Sequence, residues 1–262
     1  MIVLDSPHLL DQVVIFMLVS VRISAMLITA PMFSTSSVTV PIRVVIALSI
    51  AVLMLDSVSI PKIDILSPQG MMAVVNEAII GTSIGLMFQL AFAAISLMGE
   101  QISTASGLGF ASMLDPYTGS SSPVITQFMT VMMLLTFMTL EGPHILLQQL
   151  AASFQPMPIG SSIFRPEALL NLIKSAGVIF SAALLISLPV ILALFLLTLT
   201  IGMLTRVAPQ LNLFSVGFPI TIIGSILLIL IAIPSLSNSM ASLLVEIAKQ
   251  TRIVLLSGSG GH

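Results

Sequence analysis

Six ionisable side chains stand inside or beside long apolar runs: Arg22, Glu77, Glu100, Glu141, Lys174 and Arg206. A charge at the centre of a membrane helix costs about 2.5–3.5 kcal/mol on insertion scales, so such a group reaches water, pairs with an opposite charge or carries a function. Glu141, Lys174 and Arg206 lie near breaks or segment ends and read as helix-end charges or structural ion pairs. Arg22, Glu77 and Glu100 are the intramembrane candidates for function together with Arg206. Carboxylates placed like Glu77 and Glu100 could serve a proton-coupled carrier, or could pair with an arginine of this chain or of a neighbour. A secondary carrier usually shows two similar halves with interrupted helices in matching positions, and no such match is visible.

Other chemistry finds little support. The histidines are His8, His144 and His262, and no pair has ligand spacing, so neither zinc nor iron is expected. Gly81-Thr-Ser-Ile-Gly85 spells GxSxG, but inside an apolar run that lacks the strand-to-helix turn exposing a nucleophile. Ser59-Ile-Pro-Lys62 spells SxxK with no companion motif. Asp115 near Gly107-Leu-Gly109 would need a second carboxylate to share a proton with as an aspartyl dyad, and the candidates Glu100 and Glu141 lack any supporting motif. Gly107, Gly109 and Gly119 have neither the spacing nor the lysine of a phosphate loop. The reading is of a protein that is not an enzyme, with no cofactor.

The elements that must position these groups are apolar to an unusual degree. Of 262 residues 57% are hydrophobic and only 7% charged, and the mean hydropathy is +1.18. Soluble domains carry roughly a quarter charged residues, so this chain cannot cover a water-facing surface. A cytosolic enzyme, a disordered chain and a coiled coil are excluded, and an all-α, membrane-type protein is expected. There is no Cys, which removes disulfides and thiolate metal sites. There is no Trp and one Tyr, so the usual interfacial aromatic belt is nearly empty. A net charge of -2 without a basic run gives no sign of nucleic acid. Asp5 and Asp11 stand where a signal peptide would be positive, and 257–262 reads as a flexible linker outside the fold.

Apolar runs are expected at 9–30, 44–55, 71–107, 124–140, 145–154, 168–205 and 211–256. The run 71–107 contains no proline and would be about 55 Å long as one helix, well beyond a ~30 Å hydrocarbon core. Either it breaks at a glycine or much of it sits in protein. Gly81 and Gly85 form a GxxxG step, and Gly99, Ser103 and Gly107 repeat that spacing, as helix-packing positions would. Pro189 should kink the run 168–205, and Pro219 and Pro234 should bend or divide the last one. The loop 107–123 is rich in Ser, Thr, Gly and Pro yet holds Phe110, Met113, Leu114 and Tyr117, so it is expected to be buried or to occlude something. The eight Lys and Arg are scattered, and topology cannot be read from them.

Specific stretches then resemble one family. Arg206-Val-Ala-Pro-Gln-Leu-Asn-Leu-Phe-Ser-Val-Gly-Phe-Pro219 resembles the C-terminal signature of the flagellar biosynthetic protein FliR family. Arg22-Ile-Ser-Ala25, Ala30-Pro-Met-Phe33 and Val40-Pro-Ile-Arg43 are similar to its first block, with Ala25 where Gly is expected. Asn76-Glu77, Gly81, Gly85 and Gly99-Glu100-Gln101 look like its central helix, and 107–116 like its central loop. The resemblance implies a subunit of the type III secretion export gate, at the flagellar basal body in the bacterial inner membrane. It implies an N-terminal part, 1–160, similar to FliP, and a C-terminal hairpin, 161–256, similar to FliQ. The implied partners are FliP and FliQ gate subunits, the FlhB and FlhA export components, exported flagellar proteins and membrane lipid. Loop 107–123 would be the channel plug, with Phe110, Met113, Leu114, Asp115 and Tyr117 as gating residues. The rival readings are an injectisome gate homologue, a small-molecule secondary transporter and a structural anchor that never touches cargo.

Overall fold

The computed structural model describes residues 6–34, 38–55, 67–107, 124–160, 166–208 and 217–258. Among them there are seven helices and no strand: α1 (Ser6–Thr29), α2 (Val40–Met54), α3 (Pro68–Ala105), α4 (Val124–Thr139), α5 (Gly142–Ser153), α6 (Pro166–Val207) and α7 (Phe218–Gly258). Four of them, α1, α3, α6 and α7, are long and apolar enough to cross a membrane, and α4 with α5 would make a fifth span.

The helix ends follow local chemistry. Ser67 caps α3, its Oγ accepting the Gly70 N–H at 3.1 Å, and Pro68 follows at the first helical position where a missing N–H costs nothing. At the other end Gly107 takes a positive φ of 84°, a backbone shape that stops a helix cheaply only when the residue is glycine. Glu141 adopts a left-handed φ of 54° at the N-terminus of α5, ahead of Gly142 and Pro143, which ends one helix and starts the next. Arg206 stands exposed in the last turn of α6, where a cation is favoured by the helix dipole.

Helix α6 continues through Pro189 and α7 through Pro234, and Pro219 is the second residue of α7, where it starts the helix instead of bending it. A helix among apolar neighbours loses one hydrogen bond at an internal proline but has no competing water to unwind it. Helix α7 also extends two residues into the stretch expected to be a linker, with the Ser257 hydroxyl donating to the Val254 carbonyl at 2.8 Å. The run 71–107 does not break. Helix α3 is a single 38-residue helix, about 57 Å long, and 61% of its apolar window is buried against 22% in α6 and in α7.

The chain forms two compact units, each built from separated segments. The first holds residues 1–90, 141–177 and 245–262. In it α1 and α3 run parallel, because Arg22 meets Gly81 and Thr29 meets Gly85. A Cβ at Gly81 would fall on the Arg22 carbonyl, and one at Gly85 on the Thr29 hydroxyl, so both helices approach as closely as glycine allows. Ser175 and Gln250, with hydroxyl and amide 3.4 Å apart, and Ala168 beside Gly258 set α6 and α7 antiparallel.

The second unit holds residues 91–140 and 178–244. In it α3 and α4 are antiparallel. Phe92 meets Phe137 edge to face at 5.8 Å, the hydroxyls of Ser96 and Thr130 lie 3.3 Å apart, and Gly99 faces Thr126. A Cβ at Gly99 would come within 2.7 Å of the Thr126 Cα, too close for backbone to accept. Gly224 packs on Leu197.

These contacts separate the glycines by role. Gly81→Ala and Gly99→Ala are expected to lower the apparent melting temperature and the level of folded protein, since backbone must move in each. Gly177→Ala and Gly202→Ala meet nothing within 4 Å and should stabilise by about 0.5–1 kcal/mol through helix propensity. Thermal unfolding of the four purified variants in detergent checks both directions; equal losses at all four positions would refute the assignment.

Candidate functional site

The side chain with the least tolerance for its surroundings is Arg22. It lies two-thirds along α1 with no exposed surface at all. A guanidinium presents five N–H donors in a plane and cannot be neutralised near physiological pH, so burying it requires acceptors on several sides. The first unit supplies them. Arg22 Nε donates to Glu77 Oε2 at 2.5 Å, Nη1 donates to the Ser153 hydroxyl at 3.0 Å, and Nη2 to the Met157 carbonyl at 2.9 Å. The Phe154 ring lies under the guanidinium carbon at 4.2 Å, placing a π face where a hydrogen bond cannot reach.

Each partner has its own support. Glu77, 1% exposed, is fixed in the first third of α3 and also accepts the Gly160 backbone N–H. Ser153 ends α5, and its hydroxyl donates in turn to the Leu150 carbonyl at 2.6 Å. Met157 is completely buried, and its sulfur would lie 3.0 Å from a Cβ built on Gly258. The cluster therefore ties α1 and α3 to the turn 154–160, and through Met157 to the start of α6 at Ala168 and the end of α7 at Gly258.

The other residues singled out from sequence are dispersed. Gly81 and Gly85 line the α1–α3 contact, one and two turns past Glu77. Gly99 and Ser103 belong to the second unit, where Ser103 is fully buried and its hydroxyl has no hydrogen-bond partner among the described residues. Glu100 is exposed and makes no ion pair among the described residues. Glu141 and Lys174 are exposed, as is Arg206. Phe110, Met113, Leu114, Asp115 and Tyr117 lie outside the described residues, as does most of loop 107–123. No group of three metal-binding side chains occurs among the described residues.

Sequence reasoning missed Ser153, Phe154 and Met157. Ser153 and Met157 stand 131 and 135 residues from Arg22, and a serine at a helix end or a methionine between two prolines carries no mark of an arginine partner. The available signal was arithmetic: one carboxylate cannot satisfy five donors.

Removing one partner of a buried ion pair strands the other charge at a cost of about 3–5 kcal/mol, whereas replacing both with apolar groups is often near neutral. Glu77→Leu and Arg22→Leu are each expected to abolish accumulation of folded protein. The double variant should recover part of it, and Arg22→Lys should fail because one ammonium cannot span Glu77, Ser153 and Met157. Immunoblot of membrane fractions with a motility plate assay reads all four; a double variant worse than both singles would refute the pairing.

Residues 13–247, which include Arg22, Glu77, Ser153 and Met157, match the family described as bacterial export proteins, family 1. The flagellar biosynthetic protein FliR of Pectobacterium carotovorum subsp. carotovorum is 34% identical over 234 residues, 89% of this chain and 90% of that protein. FliR of Escherichia coli (strain K12) is 33% identical over 226 residues, 86% and 87% of the two chains. FliR of Bacillus subtilis (strain 168) is 32% identical over 226 residues, 85% and 87%. With its Arg22-centred core and its long apolar helices inside the matched region, this chain belongs to the FliR family of bacterial export proteins.

Proposed function

We propose that this chain is a subunit of the flagellar type III protein export gate, where it forms part of the channel wall for unfolded flagellar proteins. The observation that carries the reading is α3: a 38-residue apolar helix, far longer than a bilayer is thick, in a chain that matches export-family relatives over most of its length. A helix of that length, in a chain that also has α6 and α7 of 42 and 41 residues, is suited to standing partly above the membrane within a ring of similar helices. The exposed apolar surface of α6 and α7 supports the same idea, since apolar surface beyond the bilayer needs a protein cover.

In this reading residues 1–160 correspond to a FliP-like part and 161–256 to a FliQ-like hairpin, and the partners are FliP, FliQ, FlhB and FlhA. The assembly sits in the inner membrane at the flagellar basal body. The work is gating, not catalysis. Loop 107–123 projects into the channel as a plug, with Phe110, Met113, Leu114 and Tyr117 excluding water and Asp115 among them. A hydrophobic constriction stops ions by dewetting and still yields to a passing chain, and methionine repacks around varied surfaces. Gly81, Gly85, Gly99, Ser103 and Gly107 hold the helices close enough to keep the wall narrow, and Arg22 with Glu77 keeps the scaffold behind it rigid.

Deleting 110–119 is expected to raise ion leakage through the assembled gate in cells, measured as sodium- or chloride-dependent growth inhibition and as conductance, while the gate still assembles. A tight membrane with undiminished export would sink the plug. A photo-crosslinker at Met113 should attach to an export substrate stalled in transit; an assembled, exporting gate that yields no adduct would favour a structural anchor.

A further inference from the structure

In the second unit three helices turn large aliphatic side chains outward: Val131 and Leu135 on α4, Leu185 and Leu196 on α6, Leu227 and Ile231 on α7. Helix α3 does not. Between 91 and 105 its exposed residues are Ala93, Glu100 and Thr104. They stand seven and four positions apart in the sequence, which places them on one line along a helix. Leu97 and Gln101 flank that line and are half-buried, whereas Ile95, Met98 and Ile102 lie on the opposite side and are buried.

Glu100 is the costly member of that line. Its carboxylate accepts no hydrogen bond and makes no ion pair among the described residues. The Thr104 hydroxyl, one turn on, donates to the Glu100 backbone carbonyl at 2.9 Å and is already engaged. Glu77, the other acid of the same helix, is buried and takes donors from Arg22 and from the Gly160 backbone. One helix thus holds a carboxylate with partners and one without. An unpaired carboxylate does not suit lipid, where its hydration is lost without replacement. An apolar helix seam does not suit it either, since Ala93 and Thr104 bring too little apolar area to offset drying the charge between them. Water meets its needs.

We infer that the line of Ala93, Glu100 and Thr104 faces the water of the export passage, and that Glu100 draws hydrated monovalent cations to that wall. A fixed carboxylate in a narrow aqueous space raises the local concentration of cations and lowers that of anions, because low-dielectric walls confine its field. Glu100 belongs to no group of three metal-binding side chains among the described residues, so a cation beside it keeps its own water and moves on. The consequence is a polarity of leakage: a gate that leaks passes sodium in preference to chloride. This inference rests on the gate reading above, since a chain outside a gate has no passage to line.

The test uses the gate assembled in cells with this chain lacking 110–119, purified with all its subunits, and reads reversal potentials in planar bilayers under a sodium chloride gradient. With Glu100 in place the current should favour sodium. Glu100→Gln should lower the sodium-to-chloride permeability ratio roughly two- to fivefold, the Coulomb effect of one charge across about 8 Å of water. Glu100→Lys should reverse the preference and Glu100→Asp should keep it. The chain has no cysteine, so Glu100→Cys introduces a single thiol. A thiosulfonate reagent carrying a sulfonate should restore the preference for sodium there and one carrying an ammonium should invert it, with the gate that keeps Glu100 as the control for thiols of other subunits. A ratio unmoved by Glu100→Gln, Glu100→Lys and both reagents would overturn the inference, as would a thiol that neither reagent modifies in the assembled gate. Loss of the other gate proteins on Glu100→Gln would also overturn it, since the carboxylate would then be paired at a subunit contact. If the deletion gate assembles but passes no current, the plug reading falls, and modification of the introduced thiol, read by mass, decides this inference alone. If the chain recovers no other gate protein, the gate reading falls and takes this inference with it.

Discussion

A guanidinium sealed from water is the interaction on which the first unit depends. Arg22 has no exposed surface, and a full charge in that position is tolerable only while Glu77, Ser153, the Met157 carbonyl and the Phe154 ring all hold their places. Apolar packing alone lets helices slide past one another at little cost, because one leucine contact replaces another. A fork of directed donors permits no such slippage. The close approach of α1 to α3 at Gly81 follows, since the carbonyl of Arg22 itself fills the space that a Cβ would need.

The second unit solves the same problem without charge. Its α3–α4 contact is made by an aromatic pair, a shared hydroxyl bond and a glycine against a threonine backbone, none of which needs a buried ion. Helices α6 and α7 bury a single stripe each and leave large aliphatic side chains outside, such as Leu185, Leu196 and Ile231. One helix, α3, is thus shaped as an interior element and two as exterior ones. All three are strongly apolar, so hydropathy alone says nothing of which is which.

That contrast explains how much could be read from the chain. Helical class, the long run 71–107 and the two costly groups Arg22 and Glu77 were legible, because hydropathy and a charge in an apolar run are local signals. The pairing of those two groups was open in the sequence, which offered a neighbouring protein as an equal alternative. Of the prolines, Pro219 was expected to bend or divide the last run and instead starts α7, whereas Pro189 and Pro234 lie inside continuous helices. Ser153, Phe154 and Met157 were illegible because nothing local marks a residue that serves an arginine more than 130 positions earlier. The gating role proposed for 107–123 was read from composition and from family resemblance, and nearly all of that loop lies outside the described residues.

The long reach of the Arg22 cluster also imposes a timetable. Chains are made at about 5–20 residues per second, and Glu77 and Met157 follow Arg22 by 55 and 135 residues. The arginine therefore leaves the ribosome roughly 3–11 seconds before its carboxylate and about 7–27 seconds before its last acceptor. During that interval α1 cannot rest at its final depth, because its cation still needs water or headgroups. The N-terminal helix must be held shallow, or held by other proteins, until the turn after α5 has been translated, so the order of synthesis and the order of burial run in opposite directions.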